Sequence, residues 1–275
     1  MPYSRKISKI LKDLVLIMVL IFTLFPILWT VTLSFKQSRD IVKYPPSFLF
    51  TPTFDNYINA LYNSPFLNYF INSGIIALGS TFLVLLLAIP AAYGIYRFNF
   101  KLKSFVTVFI LFSRMVLPVA VAIPFFVVFK ELNLLNTHIS IILMETIMLL
   151  PLAIWLIGGY LVMVPKEFEE AAMIDGTTRF GAFLRIVLPI LITSLAPISI
   201  LTFIFSWNDL LFPLILSGPQ TKTLTVGILN LIGYESVDWG ALCATVMIAS
   251  VPIIILAMIV QKQLIKGFSA EVLKG

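Results

Sequence analysis

Six apolar segments, each of about 20 residues or more, follow one another along this 275-residue chain. A helix of about this length crosses the hydrocarbon core of a bilayer, where an unpaired backbone polar group costs several kcal/mol. The sequence therefore predicts an all-α integral membrane protein with six transmembrane helices. Their predicted positions are about 14–35, 67–93, 104–129, 139–163, 190–216 and 241–262.

The composition fits a chain dissolved in lipid rather than a water-soluble domain. Hydrophobic residues make up 60% of the sequence and charged residues 12%, and the mean hydropathy is +1.03. The first apolar segment is too long for the core of a cleaved signal peptide, so we interpret it as an uncleaved anchor. We predict a cytoplasmic N-terminal segment at 1–13, one transmembrane domain at 14–264 and a cytoplasmic tail at 265–275.

Basic residues predict the orientation of the chain. Six spans place both termini on one side, and Lys and Arg collect on the cytoplasmic side of membrane proteins. Thirteen basic residues then lie in cytoplasmic segments, and five lie on the opposite face: Lys36, Arg39, Lys43, Lys130 and Lys222. We therefore predict a multi-pass protein of the cell (cytoplasmic) membrane with both termini in the cytoplasm. The basic residues are scattered at helix ends, which argues against a nucleic-acid surface.

Two longer connections lie on the outer side in this arrangement, at about 36–66 and 217–240. Proline-rich stretches in the first favour extended and turn conformations over helix, and either loop is a candidate contact for an external partner. Prolines inside the predicted spans each remove a helix hydrogen bond and predict a kink. They are Pro90, Pro118, Pro124, Pro151, Pro197, Pro213 and Pro252. Such kinks favour a bundle around a path, although proline is also common in membrane helices without one.

Residues 165–189, between the fourth and fifth spans, carry the clearest pattern of the predicted cytoplasmic segments. The opening proline suits the first position of a helix, and the acidic residues after it favour the positive end of the helix dipole. Gly176 is predicted to end this helix. Phe168, Ala171 and Ala172 are predicted to share a face with no partner in this chain, which favours docking over a plain connecting loop. A second short helix is predicted to end at Pro189, with an apolar side made of Phe180, Phe183, Ile186 and Val187.

The same segment resembles the EAA loop of permease subunits from ATP-binding-cassette importers. That pattern consists of EAA, three further residues, a glycine, nine further residues and I-x-L-P. Every position of it is filled here, by Glu170, Ala171, Ala172, Gly176, Ile186, Leu188 and Pro189. In that family the loop is a coupling helix that sits in a cleft of the ATP-hydrolysing subunit. The resemblance thus implies this coupling role for Glu170, Ala171, Ala172, Asp175 and Gly176.

The resemblance covers most of the chain, including the stretch Ser206–Asp209 and the ending 261–267. It is to the carbohydrate branch of these importers, of the maltose/trehalose type, with the type I permease fold of six spans. It implies four partners: a second, dissimilar permease, two ATPase subunits and an extracytoplasmic sugar-binding protein. It implies no cofactor in this chain, with ATP and Mg bound by the partner ATPase.

Three charged residues fall inside the predicted spans. Charge in lipid is costly, so Glu145, Asp209 and Arg114 should face the bundle interior or water. Trp207 and Asn208 add a stacking face and hydrogen-bonding groups, which suit a sugar. We therefore predict a substrate path made by Glu145, Trp207, Asn208 and Asp209. The alternatives are that Asn208 and Asp209 only pack helices or lie near the outer surface, and that Arg114 pairs across a subunit interface.

The chain lacks the usual groups of an enzyme. Gly is never followed by Lys, so the phosphate-binding loop of ATPases is absent, and one histidine and one cysteine exclude His-pair and Cys metal sites. His138 is predicted to be an interfacial polar residue. The sequence therefore predicts a transport subunit rather than an enzyme. An importer permease for another solute and an ion-driven carrier remain as alternatives.

Overall fold

The structure, a computed structural model, describes residues 2–45, 47, 49–62, 65–232 and 237–272. The side chains of residues 2–10, 193, 194, 260 and 262–272 lie outside this description. The described residues form helices and their connections, with a single antiparallel bridge between Ile232 and Val237. The prediction of an all-α protein is therefore confirmed. The predicted positive charges of Arg5, Lys6 and Lys9 and the charges of the 265–275 tail lie outside the described side chains.

The helices follow one another with short connections. They are α1 (Pro2–Ser34), α2 (Ser38–Ile41), α3 (Asp55–Tyr62), α4 (Phe66–Arg97), α5 (Lys103–Ser113), α6 (Pro118–Glu131), α7 (His138–Met163), α8 (Glu167–Ile174), α9 (Arg179–Ala182), a π-helical turn (Phe183–Val187), α10 (Leu188–Trp207), α11 (Leu211–Leu216), α12 (Leu224–Leu229) and α13 (Trp239–Val272).

Four of these helices contain an apolar stretch long enough to cross a bilayer, at Leu11–Ser34, Phe66–Arg97, His138–Met163 and Trp239–Ile259. Two further pairs of helical segments have the required composition but are bent. Lys103–Ser113 and Pro118–Glu131 meet at 92°, and Arg179–Ile192 and Leu195–Trp207 meet at 68°. The described chain thus has four candidate spans, or six if each bent pair is one span.

The third predicted span, 104–129, is not one continuous helix. It divides into α5 and α6 because Leu117, which precedes Pro118, has the extended backbone that a residue before proline prefers. The fifth predicted span, 190–216, also divides, since α10 ends at Trp207 and α11 starts at Leu211. Four other prolines lie inside helices without interrupting them: Pro90, Pro124, Pro151 and Pro252.

Pro189 does not close a separate short helix, contrary to the prediction. Helix α9 passes through the π-helical turn directly into α10, and Pro189 occupies the first turn of α10. Proline is compatible with the first turn of an α-helix, where its missing N–H is not required. The apolar side predicted for this segment is only partly internal, because Phe183 and Val187 are buried whereas Phe180 is exposed.

The backbone divides into two compact units, and the first comprises Met1–Leu67 and Ile228–Val251. The outer loop predicted at 36–66 belongs to it and contains α2 and α3, which the proline-rich sequence did not predict. The Asn56 amide is buried and donates to the carbonyls of Ser34 and Lys36 at 2.9 and 2.8 Å. Lys36 is buried as well, and its ammonium donates to the Ser47 carbonyl at 2.7 Å.

The second unit comprises Asn68–Gly227 and Pro252–Gly275, and its core lies among α4, α7 and α10. Small residues allow α4 and α7 to approach closely, and Ala88, Ala92 and Ala153 are fully buried there. Gly158 of α7 lies against the Tyr96 ring, and the Cβ of a larger residue at 158 would overlap this ring. A second cluster packs α6 and α11 against the first half of α7.

Part of the outer loop predicted at 217–240 is packed inside the second unit. The Asn72 amide of α4 donates to the carbonyls of Gln220 and Lys222 at 2.9 and 3.0 Å. The Leu224 amide donates to Ser73 Oγ at 2.8 Å. Residues 217–227 therefore present mainly their tip to the surroundings. Residues 233–236 of this predicted loop lie outside the described residues.

Candidate functional site

The first candidate site is the helix α8, which carries the EAA sequence. Its first turn contains three acidic residues, which the dipole of the helix favours at this end. After α8, Gly176 adopts φ +90°, a conformation that glycine tolerates best. The Gly176 amide donates to the Met173 carbonyl and the Thr177 amide to the Ala172 carbonyl, both at 3.1 Å. The predicted end of this helix at Gly176 is thus accompanied by the backbone geometry of a helix C-terminus.

One side of α8 faces the protein itself. Glu169 and Ala172 are buried, three residues apart and thus on one face. Glu169 Oε1 lies 2.6 Å from Arg97 Nε, and Tyr93 Oη donates to Glu169 Oε2 at 2.7 Å. Arg97 Nη2 also donates to the Val164 carbonyl, just before α8, at 2.8 Å. Both Tyr93 and Arg97 belong to the last turns of α4.

The opposite side of α8 is exposed. Phe168, Ala171 and Ile174, spaced by three residues, form an apolar surface, with Phe168 52% and Ile174 86% exposed. Glu170 and Asp175 are exposed beside it. Of the three residues predicted for the face without a partner, Phe168 and Ala171 are exposed and Ala172 is buried. Ala172 packs inward, because the helical period places it with Glu169, and Ile174 takes its place on the outside.

The second candidate site is a cavity of about 530 Å³ in the second unit. Its lining comes from the break between α5 and α6, from the middle of α7, and from the break between α10 and α11. The three charged residues of the predicted spans, Arg114, Glu145 and Asp209, all line it, together with Ser113 and Ser206. Aliphatic and aromatic side chains form the rest of its wall. The cavity therefore offers a guanidinium group and two carboxyl groups in an apolar surround.

Glu145 is the most buried charged group of the cavity, at 2% exposure. Its Oε2 accepts a hydrogen bond from Ser206 Oγ, and Ser206 Oγ in turn accepts one from Ser80 Oγ at 2.8 Å. Glu145 Oε1 is buried and has no hydrogen-bond partner within the described part of the chain. A buried carboxyl oxygen without a hydrogen-bond partner is costly, and in this conformation the atom is closed off from a solute in the cavity.

Arg114 and Asp209 are each held by the backbone of a helix. Arg114 Nη1 donates to the Met148 carbonyl at 2.9 Å, and the guanidinium lies 5.7 Å from the centre of the Phe205 ring. Asp209 Oδ2 accepts the Phe212 amide at 3.2 Å and so caps the start of α11. The Asp209 carbonyl accepts Thr225 Oγ1 at 2.7 Å. Arg114 had no predicted contact within its own chain.

The two other residues of the predicted path are not among those that line this cavity. The Trp207 ring is 4% exposed, stacks on Phe203 at 5.5 Å and meets the edge of Phe70 at 5.3 Å. Its stacking face is thus covered, in contrast to the open face expected from sequence. Asn208 is exposed, and its amide donates to the Ile204 carbonyl at 2.8 Å. Both positions lie next to the cavity along the chain, through Ser206 and Asp209.

The remaining residues singled out from sequence have structural contacts. His138 Nε2 lies 2.9 Å from Asn72 Oδ1, and His138 begins α7. Cys243 is a buried free thiol. Across the described ranges, no group of three or more His, Cys, Asp or Glu side chains is placed to hold a metal ion.

Comparisons with known proteins agree on one family. The family model described as "Binding-protein-dependent transport system inner membrane component" matches residues 84–269. The "Probable ABC transporter permease protein YurM" of Bacillus subtilis is 34% identical over 94% of this chain and 87% of its own length. The "Trehalose/maltose transport system permease protein MalG" of Thermococcus litoralis is 30% identical over 98% of both chains.

A solved structure has the same fold. It is described as a bacterial ABC transporter involved in the import of the acidic polysaccharide alginate. The TM-score is 0.76 at 21% sequence identity, and the match covers 94% of this chain and 97% of that chain. The fold is thus shared over nearly the whole length, although about four in five aligned residues differ.

Proposed function

The chain belongs to the family of binding-protein-dependent transport system inner membrane components, and from this premise we propose that it forms half of the translocation path of a sugar importer driven by a separate ATPase. Its fold is that of ABC importer permeases, and the family is one of transport components, not enzymes. The observation that carries the proposal is the exposed apolar side of α8 inside a complete EAA pattern.

The exposed side of α8 supports a docking role toward an ATPase subunit. Phe168, Ala171 and Ile174 leave an apolar surface on a helix whose other face is already filled, and such a surface is unfavourable in water. Glu170 and Asp175 flank it with charge. Gly176 allows the chain to turn away immediately after α8. We assign the contact with the ATPase to these residues, while Ala172 contributes from inside by permitting close packing.

The cavity supports a sugar as the solute. It combines the hydrogen-bonding groups of Arg114, Glu145 and Asp209 with apolar wall, which matches the alternating polar and apolar faces of a sugar. Relatives named for trehalose and maltose, and a fold neighbour from alginate import, point to the same class. Asn208 stays in the proposed path at the cavity's edge. Trp207 joins it only in a conformation in which its ring leaves Phe203.

The proposed assembly contains a second permease, two ATPase subunits that bind ATP and Mg, and an extracytoplasmic sugar-binding protein. Both termini lie in the cytoplasm, and the chain contributes no cofactor. ATP binding closes the ATPase pair, α8 moves with it, and the membrane helices change from inward-open to outward-open. This chain makes and breaks no covalent bond; it binds the solute and converts displacement at α8 into opening of the path.

The substitution Gly176→Asp tests this function. At φ +90° a side chain is strained, and its carboxylate would stand beside the docking surface, although open space surrounds the position. We expect the variant to reach the membrane and to lose both copurification with the ATPase and sugar uptake. Gly181→Asp serves as the control, because Gly181 follows the Thr178 cap in α9 and does not have a positive φ. Normal uptake by Gly176→Asp would disprove the coupling role.

A further inference from the structure

A buried ion pair joins α8 to the end of α4. Glu167 and Glu170 of α8 are exposed, whereas Glu169 between them is buried, with its Oε1 2.6 Å from Arg97 Nε. Ion pairs on protein surfaces contribute little, but a buried charge that loses its partner is strongly destabilising. Glu169 therefore depends on Arg97 to balance its charge, whereas water can solvate the other acidic residues of α8.

The ion pair is part of a group of three side chains that come from two helices. Tyr93 and Arg97 are four residues apart on α4 and so lie on one face, and each reaches one oxygen of the Glu169 carboxylate. Arg97 also holds the Val164 carbonyl at the start of the segment. The Tyr93 ring packs on Phe183 of the π-helical turn with centroids 4.5 Å apart. We call Tyr93, Arg97 and Glu169 the α4–α8 cluster.

The cluster connects parts of the molecule that the chain itself does not connect. Helix α8 is covalently continuous with α7 before it and with α9 and α10 after it. Helix α4 is separated from α8 by the whole of α5, α6 and α7, so side chains must carry any motion between them. Displacing α8 relative to α4 would break the ion pair and the Tyr93 hydrogen bond together. The two helices are therefore expected to move as one body.

We propose that the α4–α8 cluster is a set of positioning residues that passes the displacement of α8 to the second span, so that each cycle of the ATPase changes the opening of the path. The proposal rests on the coupling function proposed above. Without the cluster, α8 remains seated on the ATPase through its exposed side, because that side does not include Glu169. Hydrolysis then continues, but α4 no longer follows, and fewer solute molecules are imported for each ATP.

The experiment compares import with hydrolysis in the complete transporter, reconstituted in proteoliposomes with its binding protein. Glu169→Gln removes the charge and keeps an oxygen for Tyr93, and Arg97→Gln removes the cation. Glu131→Gln and Lys101→Gln, at exposed positions outside the cluster, are the matched controls. We expect both cluster variants to copurify with the ATPase and to import about tenfold less solute per ATP, within the usual range of coupling energies. Arg97→Lys, which keeps the charge, should recover part of the ratio.

The outcomes separate this proposal from the function on which it rests. An unchanged ratio of import to hydrolysis in Glu169→Gln and Arg97→Gln would overturn the transmission role and leave the coupling role of α8 intact. Loss of the ATPase from both variants would also overturn it, because the residues would then serve docking or folding. A copurifying, active Gly176→Asp variant would instead refute the proposed function. Tyr93→Phe, which removes one hydroxyl, provides a milder change with the same expected direction.

Discussion

The acidic side chains of the cavity are held in different ways, and this decides what their substitution tests. Glu145 has one oxygen engaged by Ser206 and one without a described partner, whereas Asp209 caps α11. Removing the Asp209 side chain would therefore disturb the helix as well as the cavity. A useful substitution at 209 must keep an oxygen for the Phe212 amide while removing the charge.

Asp209→Asn meets this requirement, and we expect it to lower sugar uptake without loss of the folded protein. A hydrogen bond to a charged group contributes roughly 1.5–3 kcal/mol, so the loss should be on the order of tenfold or more. Asn208→Ala is measured beside it, because Asn208 is exposed and bonds within its own helix. Uptake and ATPase activity are recorded together. If both variants keep normal uptake and sugar selectivity, these two residues do not belong to the path.

One loop of the second unit is held by side-chain hydrogen bonds to its carbonyls as well as by apolar packing. Segment 217–227 shows this, since Asn72 of α4 accounts for two of its carbonyls and lies against His138 of α7. The loop was predicted as an outer connection available to a partner. Its apolar residues Leu224 and Val226 instead complete the second unit, a role that a short stretch flanked by Gly and Pro does not indicate in sequence.

Asn72→Ala should loosen this segment. The substitution removes the donor of two carbonyls that are only partly buried, at a cost of about 0.5–1.5 kcal/mol for each hydrogen bond. We expect faster amide hydrogen exchange over 217–227, because local opening requires less free energy. Asn230→Ala, at an exposed position, is the control. Equal exchange in the two variants would show that Asn72 does not hold the segment.

At the scale of the whole molecule, the sequence predicted those features of the structure that depend on one local property. Apolar length located the continuous spans, and the EAA spacing located α8 with its glycine at +90°. Long-range pairings were not predictable. Tyr93 and Glu169 are 76 residues apart, and the sequence is equally compatible with each of these side chains being exposed to water. The helical spacing was used to predict that Phe168, Ala171 and Ala172 share a face, but Ala172 is buried on the side of Glu169, which pairs with Arg97.

The charged residues of the cavity make it necessary to test which energy source drives the whole assembly. Arg114, Glu145 and Asp209 line one space, and intramembrane charges of this kind also occur in proton relays of ion-driven carriers. This chain has no phosphate-binding loop of the Gly-Lys type, and the proposed function assigns ATP hydrolysis to a partner. In vesicles that contain the complete transporter, we expect ATP depletion to abolish uptake while the membrane potential is clamped. Collapse of the potential at constant ATP should leave uptake unchanged, because the proposed mechanism couples α8 to the ATPase and not to an ion gradient. Uptake that followed the ion gradient in the absence of ATP would identify an ion-driven carrier instead.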